Sequence, residues 1–124
     1  MATEHQKDGT TIGLTKENHE MLVKFKDEKI FHEMMDGYRF AIAYSLNKGV
    51  VPQKISGQKV TTFNVGSLDP KKEIANAIVV LNTDLDIGVY KYAERLAESG
   101  MTELVKIYNN NNRLDLAKII AESS

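Results

Sequence analysis

A short alternation, Thr11-Ile12-Gly13-Leu14-Thr15, runs straight into two consecutive helical patterns that end at Gly49. This order constrains the fold strongly, because each short element exposes an apolar face that something else has to cover. Ile12 and Leu14 fall on one face of the strand. Thr15 stands where a helix N-cap belongs, and Glu17 and Glu20 suit the positive end of the helix dipole. Met21, Leu22 and Phe25 give this first helix a narrow apolar stripe that fades by Asp27. The second helix is expected over 30–48. Phe31, Met34, Met35, Tyr38, Ala41, Ile42 and Leu46 share one side of it, while Phe40 and Tyr44 lie nearly opposite. A lone two-helix unit would leave those two rings in water. The second face is therefore expected to pack on the later half of the chain or on another subunit. Ile12, Leu14, Phe40 and Tyr44 are the candidate oligomer or partner interface. Lys48-Gly49-Val50 has the form of a helix end, with a cation, a glycine able to go left-handed and an aliphatic that folds back.

Beyond Pro52, residues 54–60 read as extended chain around a Ser56-Gly57 turn, and 61–65 as a second extended piece. Asp69 and Pro70 mark a helix start, as cap and first helical position. That helix, to about Leu81, is apolar nearly all round and is expected to be central. The next covers about 87–99, with Val89, Tyr92, Ala93 and Leu96 inward and Lys91, Glu94, Arg95 and Glu98 outward. Gly100-Met101 repeats the glycine-plus-apolar ending. A short helix from Thr102 through Tyr108, a break at 109–112 and a helix over 114–121 follow. The expectation is a mainly α fold. A flexible arm over 1–9 precedes a single compact helical domain over 10–124, with a short N-terminal strand and small extended segments near 54–65.

Charge narrows the function. Sixteen basic side chains against seventeen acidic ones leave a net charge of −1, without the surplus common in proteins that hold many phosphates. The distribution is uneven: 50–72 carries +3, against −1 for 1–49 and −3 for 73–124. Lys54, Lys59, Lys71 and Lys72 are thus the candidate phosphate contacts. The chain has no cysteine, which excludes disulfides, thiolate metal sites and cysteine nucleophiles and suits a cytoplasmic location. The N-terminus has no apolar signal core, and no run approaches the ~20 apolar residues needed to span a bilayer. His32 and Asp36 stand four apart, a spacing that can share a divalent metal or form a surface pair, but no third ligand matches it. The run Gly66 to Lys72 lacks the glycine spacing of a nucleotide-binding loop. No catalytic residue, metal or cofactor is expected, so the chain reads as non-enzymatic.

The run Ile12-Gly-Leu-Thr-Lys-Glu-Asn-His-Glu-Met-Leu22, with Phe31 and Tyr38-Arg-Phe-Ala-Ile-Ala-Tyr-Ser-Leu46, resembles the ribbon-helix-helix pattern. In such paired-strand DNA readers the outward strand residues meet base edges. Here these would be Thr11, Gly13 and Thr15, of which Thr11 and Thr15 can hydrogen-bond. With Val50-Val51-Pro52, the apolar helix 74–81 and Tyr92-Ala-Glu-Arg-Leu-Ala-Glu-Ser-Gly100, the chain is also similar to the small E subunit of the bacterial DNA phosphorothioation (Dnd) system. The resemblance spans about residues 10–108. It implies a prokaryotic, homo-oligomeric, DNA-associated accessory subunit of a DNA modification or defence assembly, touching backbone phosphate through lysines. The alternative expectation is a protein-binding adaptor that docks a partner through Phe40 and Tyr44 without nucleic-acid contact.

Overall fold

The computed structural model describes residues 10–82 and 84–123; the arm expected over 1–9 lies outside the described residues. In chain order the elements are β1 (Thr11–Thr15), α1 (Lys16–Asp27), α2 (Met34–Lys48), β2 (Lys59–Asn64), α3 (Val65–Leu68), α4 (Glu73–Leu81), α5 (Val89–Asn111) and α6 (Leu116–Ser123). The class is mainly α, with one antiparallel sheet of two strands, β1 against β2. Residues 59–64 form a single strand, and it pairs back to β1 across two intervening helices.

The pairing sets Thr11 opposite Asn64 and Thr15 opposite Lys59, with a register shift between Ile12 and Gly13. Gly13 is required there. A Cβ at this position would stand 2.0 Å from the Val60 carbonyl oxygen, so the strands approach too closely for any other residue.

The start of α2 differs from the expected Ile30. Lys29 adopts a left-handed conformation at φ 67°, and the Ile30 N–H returns to the Phe25 carbonyl at 2.9 Å. That is the glycine-type helix ending built with a lysine, which carries no sequence signal. Phe31 then drops into the core, and α2 begins at Met34, with Asp36 accepting from the Glu33 N–H at 3.1 Å. At its other end Gly49 is left-handed and the Val50 N–H reaches the Ser45 carbonyl at 3.0 Å, as the sequence predicts.

The largest difference lies in α5, which runs unbroken through Gly100 to Asn111. Gly100 is a contact residue: its Cβ would meet the Ala41 carbonyl oxygen at 2.2 Å where α2 crosses α5. The glycine lets two backbones touch, and the buried Ser45 hydroxyl donates to the Leu96 carbonyl at 2.7 Å beside the same crossing. The buried side chains of α5 (Ala93, Leu96, Ala97, Met101 and Leu104) make it the central helix, against which α1, α2, α4 and β1 all pack. The helix expected to be central, α4, is shorter and peripheral. It starts at Glu73 because Pro70 and Lys71 form a turn and Lys72 is left-handed at φ 58°. The N-cap position is therefore Lys72 and not the expected Asp69. Asp69 reaches the helix start from the preceding turn, accepting from the Ile74 and Ala75 N–H groups and from the Tyr90 hydroxyl. Burial pushes the Asp69 carboxyl up, but those hydrogen bonds outweigh it and hold the group below its ordinary value.

Tyr38, fully buried on α2, donates to the Gly13 carbonyl at 2.9 Å and meets Phe63 edge-on at 5.1 Å. Burial pushes its hydroxyl well above the ordinary value, and the charges of Glu94 and Glu98 push the same way. The folded state therefore holds this proton more tightly than the unfolded chain does. The resulting stability is complete below pH ~10 and is lost as pH rises through the folded-state value. Alkaline titration followed by tyrosinate absorbance should show a component that appears only as the chain unfolds, and Tyr38→Phe should remove it. The same variant should cost about 1 kcal/mol at neutral pH. An unaltered titration curve would contradict this role.

Candidate functional site

The two edges of β1 decide what the N-terminal unit can bind. One edge is taken by β2. On the other, Gly13 donates its N–H to Glu94 Oε2 at 2.9 Å and Thr15 donates its N–H to Glu98 Oε1 at 3.0 Å. The match is geometric. Outward amides two residues apart on a strand are separated by about 6.6 Å, and side chains four apart on a helix by about 6 Å. Two glutamates one turn apart on α5 thus stand in for a third strand. Glu98 Oε2 also accepts from the Thr15 hydroxyl at 2.8 Å and from Asn18 Nδ2 at 2.9 Å. Lys59 Nζ lies 2.9 Å from Glu94 Oε1 and neutralises that buried carboxylate.

This arrangement relocates most of the residues singled out in the sequence. Ile12 and Leu14, expected at an interface, are core residues of the single chain. Thr11 is exposed, but Gly13 is buried and Thr15 is committed to Glu98, so no outward row of strand side chains exists to meet base edges. Lys59 is committed to Glu94, whereas Lys54, Lys71 and Lys72 are exposed and form no ion pair among the described residues. Phe40 is half-buried with its ring 5.6 Å from that of Phe31, so it is covered in part from within the chain. Glu94, expected to point outward, is buried. His32 precedes α2 and is almost fully exposed, so its expected helical pairing with Asp36 is not formed.

Tyr44 opens onto a cleft of about 580 Å³ between the end of α2, residues 50–56 and the middle of α5. Its walls are mixed. Val50, Val51 and Ile55 supply an aliphatic side, and Val51 is 78% exposed at the rim. Lys48 stands 5.7 Å above the Tyr44 ring, and Lys54 lies on the opposite connection. Burial, followed by the charges of Glu103 and Glu122, raises the Tyr44 hydroxyl above its ordinary value. Of the two acids lining the cleft, Glu98 has both oxygens engaged at β1 and Glu103 faces Lys106 at 3.3 Å. The groups left for a ligand are two cations, a phenol, the neutral polar side chains of Gln53, Ser56 and Ser99, and an aliphatic wall. Buried Pro52 anchors the connection that forms the rim. This cleft is invisible to a reading that stops the helix at Gly100, because Thr102 and Glu103 belong to its wall.

No family model, curated protein or solved structure matches the chain. Among the described residues, no helix is long and apolar enough to cross a membrane.

Proposed function

We propose that this chain is a cytoplasmic, non-enzymatic adaptor that docks a segment of a partner protein in the cleft beside Tyr44. The observation that supports this reading is the open cleft itself, with Val51 exposed on a rim held by buried Pro52. Exposed aliphatics beside fixed polar groups are the usual makings of a recognition site. Lys48 and Lys54 favour a segment that carries a carboxylate next to an aliphatic side chain. A photo-crosslinking residue at Gln53, placed in the full chain and activated in the producing cells, tests it. The expected result is a protein adduct of defined mass that resists nuclease and is lost in Tyr44→Glu. A nuclease-sensitive adduct, or none, overturns it.

A second reading, an accessory subunit that touches DNA, draws on the exposed Lys54, Lys71 and Lys72. It requires duplex affinity that falls steeply with salt, by roughly one counterion per lysine engaged. Salt-independent or absent affinity at low ionic strength removes it.

A further inference from the structure

Val79, Val80 and Leu81 are consecutive on α4 and 52%, 76% and 63% exposed, although the described core is closed without them. Ala75 and Ile78 turn inward. At 100° per residue this places Val80 directly opposite the buried side, with Val79 and Leu81 flanking it. Three consecutive positions on a helix span about 200°, so these aliphatics wrap the exposed last turn of α4 rather than forming a stripe. Val80 is at the centre, with exposed Asn76 and Glu73 beside it. Surface aliphatics occur singly without meaning, but three around one helix end make a docking patch.

The charges at its two ends identify the occupant. Exposed Lys71 and Lys72 precede α4 and exposed Asp84 and Asp86 follow it, and none of the four forms an ion pair among the described residues. Counting exposed Glu73 at its first position, α4 still carries a net +1 at its start and −2 beyond its end, so it is complementary to itself when reversed. We infer that α4 pairs antiparallel with α4 of a second copy of this chain about a two-fold axis near Val80. The aliphatics of the two copies then cover one another. Lys71 and Lys72 of each copy reach toward Asp84 and Asp86 of the other, their stems lying along the apolar contact. The face is small, so this association belongs with weak, reversible dimers. It lies on a different element from the Tyr44 cleft and stands whether or not that cleft binds a partner.

Sedimentation velocity on the full chain, up to about 500 µM, is the test. The native chain should dimerise reversibly, and Val80→Asp should weaken the dimer by about tenfold or more while leaving the circular dichroism spectrum unchanged. Two charge-reversed chains complete it, one carrying Lys71→Glu with Lys72→Glu and the other Asp84→Lys with Asp86→Lys. Each alone should stay monomeric where the native chain dimerises, and an equimolar mixture should form a heterodimer. A native chain that stays monomeric throughout, reversed chains that dimerise alone as well as the native one, or a mixture that stays monomeric would each overturn the assignment.

Discussion

Glu94→Ala should lower the unfolding free energy by about 3 kcal/mol, the low end of what breaking a buried charge pair costs. The low end applies because Lys59 keeps 42% of its side chain in water and recovers part of its solvation when the carboxylate is gone. Two losses combine. The Gly13 N–H, on a buried strand edge, loses its acceptor, and the Lys59 ammonium loses the charge 2.9 Å away. Glu94→Gln separates them, since the amide oxygen can still accept from Gly13 while the charge is removed; its cost should be nearer 1 kcal/mol. Lys59→Met should cost more than an exposed lysine normally does, because it strands a buried carboxylate. Urea unfolding of the three single variants and of Glu94→Ala with Lys59→Met measures the coupling. Strictly additive losses would show that the pair does not interact.

Gly100→Ala is the second large effect, and competing terms set its sign. In an isolated helix the change would be favourable by about 1 kcal/mol. Here the new methyl would sit 2.2 Å from a backbone carbonyl of α2, which cannot rotate away as a side-chain tip can. Overpacking of that kind costs about 3 kcal/mol, so the net result should be a loss of roughly 2 kcal/mol and a melting temperature lower by about 8 °C. Gly66→Ala is the control, because its nearest neighbour, Asn64 Oδ1, lies at an ordinary 3.4 Å. A Gly100→Ala chain as stable as the native one would mean that the helices do not cross at Ala41.

What the sequence discloses and what it hides follow from the range of the forces involved. The order of β1, α1 and α2, the Thr15 start and the Gly49 ending are legible because alternation, caps and left-handed glycines act within a few residues. Gly100 misleads for the same reason: a glycine followed by methionine has the local signature of a helix end, and only the approach of Ala41 reveals a packing glycine. Lys29 is the converse case, a helix ending without the residue that announces it. The inward turn of Glu94 is set by Gly13, 81 residues away in sequence, so helical periodicity alone places it outside. Tyr44 was legible as a ring in need of a neighbour, and it does line the cleft. The remaining walls depend on the continuation of α5 and on the path of 50–56, neither of which has a local marker. The exposed end of α4 misleads because a helix apolar nearly all round looks central whether its cover is the same chain or another.

Hydrogen exchange at the Gly13 and Thr15 amides tests most directly whether β1 is completed inside one chain. Both should be strongly protected, equally so at chain concentrations about a hundredfold apart, and Glu94→Ala should release Gly13 well before the β1–β2 ladder. Protection that grows with concentration would instead show these amides bonded to a neighbouring chain, and the intrachain account of β1 would be wrong.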